Sequence, residues 1–269
     1  MWQVLETEIM TLEDYDRILD LGWPDYFHEF MNKRVLDDVP PERLPWSRKR
    51  VDVKGKWASR GVPVLTGGDV TTPIELLSGS RSLEKFSRDL YRIPEKVEAV
   101  MDAMVPHLAA AGCRRAARLG YPAVWVGGWR AAPSMLSPSM WDRFVWPYFK
   151  RLVYEVVEAG LIALLHLDSS WDRELARFRE LPEKRCIMAT DGETDLFKAK
   201  EILGDHMCLM GDVPATLQCL GSRDEVYDYS TRLIRELGPE GFILQSGCDI
   251  APNAKLENIQ AMVSAATGK

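Results

Sequence analysis

The chain has 269 residues, 46% of them hydrophobic and 28% charged, with a formal net charge of −6. Such a chain is long enough for one large globular domain or two small ones, and its negative balance argues against a nucleic acid or an anionic membrane as partner. Five cysteines (Cys113, Cys186, Cys208, Cys219, Cys248) have no regular spacing and form no CxxC pair, the pattern of a reducing cytoplasm and not of a disulfide framework.

Residues 1–61 read mainly as helix, over 12–21 and 26–31, followed by a polar stretch, and are expected to pack on the remainder as an amino-terminal helical segment. No leader-like or membrane-spanning apolar run is read, so a cytoplasmic location is expected. Met1–Leu5 leads at once into an amphipathic segment, as though the chain began inside a domain. From residue 62 onward, short apolar runs alternate with helical patterns. Val62–Leu65 reads as a strand ending in the loop Thr66-Gly67-Gly68-Asp69. Pro94 to Leu119 carries apolar residues at helical spacing, with proline suited to the first turn. Ala123–Val126 is the next strand, stopping at Gly127-Gly128. Ser137-Pro138 opens a helix reaching about Ala159. Leu161–Leu165 is a strand, and a helix is expected near Trp171–Glu180. Strands follow at 185–189, 206–210 and 242–244. Helices are expected at 196–203, at 224–237 with the Gly238-Pro239 stop, and at 256–265.

Alternating strands and helices imply parallel pairing. Each strand precedes a polar or Gly-rich loop, and those loops carry Asp69, Trp129, His166, Asp168, Asp191, Glu193, Asp212, Cys248 and Asp249. A (β/α)₈ TIM barrel places its chemistry on such loops. The rival, a doubly wound open sheet, lacks a Gly-rich phosphate loop after its first strands. Six strands are countable, so the expected one-domain barrel over 62–269 lacks part of its amino-terminal region. Unpaired strand edges make a homodimer an expectation.

Two half-sites stand out: His166-Leu167-Asp168 and, eighty-two positions on, Cys248-Asp249. Alternation points His166 and Asp168 the same way if the strand continues through them. Histidine, carboxylate and thiolate are all zinc ligands, and three protein ligands leave a fourth position open for catalysis. Taken singly, a core histidine and a buried cysteine are the ordinary alternatives.

Leu136-Ser137-Pro138 through Phe144-Val145-Trp146-Pro147-Tyr148, the segment Met210-Gly211-Asp212-Val213-Pro214, and Gly241–Leu244 with Ser246–Asn253 and Glu257-Asn258 resemble the uroporphyrinogen decarboxylase superfamily. Within it the chain is more similar to the corrinoid-dependent methyltransferases, of the methylcobamide:coenzyme M type, than to the decarboxylases. The resemblance implies a barrel with its site at the carboxyl-terminal mouth. It further implies zinc held by an H-x-C pair and a distant cysteine, matched here by His166 and Cys248, with Asp168 where the second thiolate stands. The decarboxylases carry Gly-His-Gly in place of Gly247-Cys248-Asp249 and an arginine-rich start, neither present here. The implied activity is methyl transfer between a small methylated substrate, or a thiol acceptor, and a corrinoid (cobalamin) carried by a partner protein.

An oxygen ligand at Asp168 hardens the site toward methoxylated substrates. Asp191 and Glu193 are candidate proton donors or a fourth ligand, against the alternative that both cap a helix near Thr194. Asp212 either reaches the mouth or caps its turn. Trp129 and Trp171 are pocket candidates, whereas Trp125 reads as core. His28, His107 and His206 lie on helices or at the wrong strand end. A cofactor-free decarboxylase and a truncated inactive paralogue are the competing functions.

Overall fold

The structure is a computed structural model that describes residues 6–37, 39–40 and 53–268. Helices α1 (Glu13–Leu21) and α2 (Trp23–Phe30) are joined at Gly22, whose φ of +80° is open to glycine without strain, and a π-helical turn follows over Met31–Val35. The apolar stripe Tyr15, Ile18, Trp23, Tyr26 and Phe30 is buried, and both helices pack on the long α6 (Pro94–Leu119). Helix α3 (Val53–Ala58) precedes the sheet.

Six parallel strands follow: β1 (Thr66–Thr71), β2 (Ala123–Gly127), β3 (Ile162–Leu167), β4 (Cys186–Thr190), β5 (Cys208–Val213) and β6 (Phe242–Ser246). They lie side by side in chain order, each hydrogen-bonded to the next. A doubly wound sheet reverses order at a switch point, so this unbroken order is the barrel arrangement. Among the described residues, the outer edges of β1 and β6 have no strand partner, and the sheet is a six-strand arc of a TIM-barrel-like α/β fold. The crossovers carry α4 (Pro73–Arg81), α5 (Leu83–Arg92) and α6, then α7 (Pro138–Phe144) and α8 (Trp146–Glu158), then α9 (Leu196–Leu203), α10 (Ala215–Leu220) and α11 (Arg223–Leu237), and α12 (Leu256–Thr267) follows β6.

Strand alternation sorts the side chains into two layers. Val124, Val126, Ala163, Leu165, Leu167, Met188, Leu209 and Val213 point outward into the main core beneath the helices. Trp125, Ile162, Leu164, Ile187, Cys208, Met210 and Ile243 line the concave inner face. A cavity of roughly 640 Å³ opens on that face, bounded by Trp57, Leu65, Trp125, Leu164, Met210 and Ile243, with His166 at one end.

The first strand lies four residues later than expected. Gly67 and Gly68 read as loop residues, yet they are inside β1, because α6 crosses so closely that a Cβ on Gly68 would sit 2.9 Å from the Gly112 carbonyl carbon. Asp69 is therefore not at the mouth. It is exposed mid-strand and pairs with Arg115 at 2.9 Å. The helix expected over 137–159 is two helices, because Pro147 has no N–H to continue α7 into α8. The helix expected at 171–180 is a 3-10 segment over Leu175–Glu180. Helices α4, α5 and α10 were not anticipated.

Candidate metal centre

Strand β3 continues through the histidine, as alternation requires for a site residue: Leu165 and Leu167 are fully buried outward, which turns His166 inward. Asp168 follows the strand directly. Its carbonyl accepts a hydrogen bond from the buried Trp171 indole at 2.9 Å, fixing the turn. Asp168 Oδ1 stands 3.4 Å from His166 Nε2. Cys248, on the loop after β6, puts Sγ 3.7 Å from the same nitrogen. One donor atom from each of the three residues lies within 4.8 Å of the others. Zinc bonds of about 2.0–2.3 Å in a tetrahedral arrangement set donor atoms roughly 3.3–3.8 Å apart, so the set fits that ion with small adjustment.

Electrostatics tie the three together. The Asp168 carboxylate, then Cys248, push the His166 imidazole up to about 10 against the opposing effect of burial. The same hydrogen bond to His166 holds the Asp168 carboxyl below its ordinary range. In the metal-free chain the proton on His166 therefore occupies the place a cation would take. Trp125 lies beside it, ring centroids 5.7 Å apart. Trp125 packs, as expected of a core residue, on the inner apolar cluster, and its partly buried ring also lines the cavity, because Val124 and Val126 take the outward positions.

Asp191, at the end of β4, gathers the neighbouring loops. Its Oδ2 accepts from the Ser169 N–H at 2.8 Å and its Oδ1 from the Glu193 N–H at 3.0 Å. Its backbone abuts the β6 loop so closely that a Cβ on Gly247 would sit 2.7 Å from the Asp191 carbonyl carbon. Glycine before Cys248 is thus a packing requirement that lets the thiol approach His166. Glu193 is exposed. The capping of α9 is done by Asp195, whose side chain accepts from Phe197 and Lys198 N–H.

Two residues at the mouth carry no obvious sequence signal. Glu75, in the first turn of α4, accepts the Arg130 backbone N–H at 2.6 Å. Burial first, and then the Asp168 charge, push its carboxyl up. Arg130 follows β2, is 5% exposed, and lies under Trp129 with its guanidinium carbon 4.7 Å from the ring centroid. The Thr72-Pro73 start of α4 is a legible helix signal that marks Glu75 as a first-turn residue; a lone loop arginine has no such marker.

The other candidates lie elsewhere. Asp212 is buried and accepts from the Tyr229 hydroxyl at 2.8 Å, toward the helix layer. Trp171 is core, whereas Trp129 is exposed at the mouth. Asp249 is exposed. His28 and His107 are exposed on helices, and His206 is buried with its ring nitrogen 2.9 Å from the Leu181 carbonyl oxygen.

A barrel arc with a histidine, a carboxylate and a thiol converging at its carboxyl-terminal mouth defines a class of α/β enzymes. The chain belongs to the uroporphyrinogen decarboxylase (URO-D) family, whose model matches residues 26–268. It is 29% identical over 189 residues to a uroporphyrinogen decarboxylase of Syntrophotalea carbinolica, covering 69% of this chain and 52% of that one. It is 21% identical over 229 residues to the methylcobamide:CoM methyltransferase MtaA of Methanosarcina barkeri, covering 85% and 65%. A solved methyltransferase from Methanosarcina mazei shares the fold with a TM-score of 0.66 at 21% identity, over 87% of this chain and 68% of that one. The chain spans about half of that decarboxylase's length and about two thirds of that methyltransferase's. Relatives in the family thus include both decarboxylases and methyltransferases. No helix among the described residues is long and apolar enough to cross a membrane.

Proposed function

We propose that this chain is a zinc-dependent methyltransferase that moves a methyl group between a small methylated substrate, or a thiol, and a corrinoid carried by a partner protein. The observation that carries this reading is the convergence of His166 Nε2, Asp168 Oδ1 and Cys248 Sγ. Sequence similarity to MtaA supports it further.

His166, Asp168 and Cys248 are the proposed zinc ligands. Bound there, the ion would supply Lewis-acid stabilisation of charge on a leaving oxygen, or keep a thiol substrate deprotonated. The chain's own residues do the rest. His166 gives its proton to solvent before it can donate a lone pair. Asp168 contributes a hard, negative ligand, which suits an oxygen-bearing substrate. Trp125 shields the inner side of His166 from water. Glu75 holds a proton more readily than an exposed carboxyl, mainly because it is partly buried, and its place at the mouth makes it the proposed donor to the leaving group. Asp191 is proposed to position the β3 and β6 loops, with Glu193 at the solvent rim.

The test combines metal analysis with turnover. Elemental analysis should find about one zinc per wild-type chain and almost none in Cys248→Ala. Absorbance should follow loss of the methyl group from methylcobalamin when zinc-loaded chain and a thiol are added. Equal, near-zero zinc in both proteins would defeat the reading.

A further inference from the structure

We propose that Arg130 is the seat for a single carboxylate on the substrate, with Glu6 filling part of that seat in the ligand-free chain. The inference rests on the methyl-transfer reading and narrows its substrate class to small methylated monocarboxylates.

The first observation is an unfilled donor. Arg130 is 5% exposed, and its Nη1 is buried with no hydrogen-bond partner among the described residues. An unmet donor on a buried group costs about 1–3 kcal/mol, more when the group is charged. Folded chains seldom keep such a cost without a use.

The second observation is what occupies the remainder of the guanidinium. Nη2 pairs with the Glu6 carboxylate. Glu6 is 43% exposed and also accepts from the Leu83 N–H at 3.1 Å, at the start of α5. A half-exposed carboxylate contacting one arm of a buried guanidinium is a replaceable occupant. An incoming carboxylate can take Nη1 and Nη2 together, the planar two-bond geometry that distinguishes arginine from lysine.

Position supplies the third. The Arg130 backbone N–H binds Glu75, and the Glu75 carboxyl feels the charge of Asp168. Arg130 follows β2, the neighbour of the strand that carries His166, and so stands at the same mouth as the proposed metal ligands. The exposed Trp129 ring lies over its guanidinium and offers an apolar wall for the body of a small substrate.

Geometry sets the stoichiometry. One guanidinium presents one planar two-bond edge, so the seat takes a single carboxylate, and it takes it in exchange for Glu6 on Nη2.

Isothermal titration of the full chain with 4-methoxybenzoate and with 4-methoxybenzamide tests the seat, both zinc-loaded and after chelation. The acid should bind at least tenfold more tightly than the amide. Arg130→Gln should remove that preference while leaving the amide's affinity unchanged. Glu6→Gln, at an exposed position that does not threaten folding, should tighten the acid several-fold by removing the internal competitor. No measurable binding of the acid, equal binding of acid and amide, or weaker binding in Glu6→Gln would each overturn the proposal. If Arg130→Gln does not fold, the acid–amide comparison and Glu6→Gln still decide. Acid preference in a chain that takes up no zinc and transfers no methyl group would leave the seat standing and defeat methyl transfer. Zinc uptake and methyl transfer without acid preference would do the reverse.

Discussion

Replacing Asp212 with asparagine should stabilise this protein, and the gain should depend on pH. Asp212 is 2% exposed at the end of β5 and accepts from the Tyr229 hydroxyl at 2.8 Å. Burial, opposed by that hydrogen bond and reinforced by the Asp191 charge, pushes its carboxyl from an ordinary 3.8 up to about 6. A carboxyl raised in the folded state favours the protonated form there. Its contribution to stability is therefore complete below about pH 4 and is lost as pH climbs toward 6. A displacement of roughly two pH units is worth about 3 kcal/mol, the upper limit of what the ionised carboxylate costs the fold at pH 7.5. Asparagine removes the charge and keeps an oxygen for Tyr229. Asp212→Asn should thus gain up to about 3 kcal/mol at pH 7.5, a rise in melting temperature of about 5–10 °C for a chain this size. Urea unfolding of both proteins from pH 4.5 to 8 measures it. The difference should be small at the acid end, grow through pH 5–6 and level off above. A difference independent of pH, or a loss of stability at pH 7.5, would refute the argument. Tyr229→Phe is the companion: it strands the buried carboxylate without its donor and should destabilise by about 1–3 kcal/mol at pH 7.5.

Zinc uptake should release one proton from His166, which is held at about 10 in the metal-free chain, and one from the Cys248 thiol, which binds as thiolate, so apparent affinity should rise by between about tenfold and a hundredfold per pH unit between pH 6 and 8; titration calorimetry in buffers of different ionisation enthalpy counts the protons. Gly247→Ala should lower zinc affinity at least tenfold, because its methyl group collides with the Asp191 backbone and moves Cys248; competition with a chromogenic chelator reads the change. Asp191→Ala should cost zinc affinity by a factor of about 10–100 by freeing the Ser169 loop, with the fold intact by circular dichroism. Uroporphyrinogen should not be converted to coproporphyrinogen by the purified chain, because a mouth with Glu6, Glu75, Asp168 and one buried arginine repels a polycarboxylate; product detected by chromatography would contradict this.

Much of this molecule is legible in the chain. Helix α6 announces both its ends, with Pro94 in its first turn and Gly120 in the left-handed conformation after its last. The barrel order follows from strand–helix alternation, and the pairing of His166 with Cys248 from their places after two strands. What escaped the sequence depends on contacts between distant segments. Gly67-Gly68 has loop composition, and only the approach of Gly112 explains its place in a strand. Trp125 is legible as core, and only the sorting of strand faces shows that it also lines the cavity. Glu75 and Arg130 are ordinary polar residues until the β1 and β2 loops are side by side, 55 positions apart in the chain. Single-sequence periodicity reports what a residue does within its own element and says little about who its neighbours across loops will be.

The eighty-two positions that separate Cys248 from His166 also give the proposed centre a place in time. During synthesis, β3 can pair with β2 and carry a lone histidine and aspartate, which bind a metal only weakly. The third donor is made after β4, β5 and β6, and it reaches His166 only when the last strand has docked and Gly247 has settled against Asp191. Strong metal affinity at the proposed centre would therefore report on the carboxyl-terminal half of the chain. An intermediate that stops short of β6 presents no competent site, and unfastening β6 from β5 gives up the ligand set before the remaining sheet is lost.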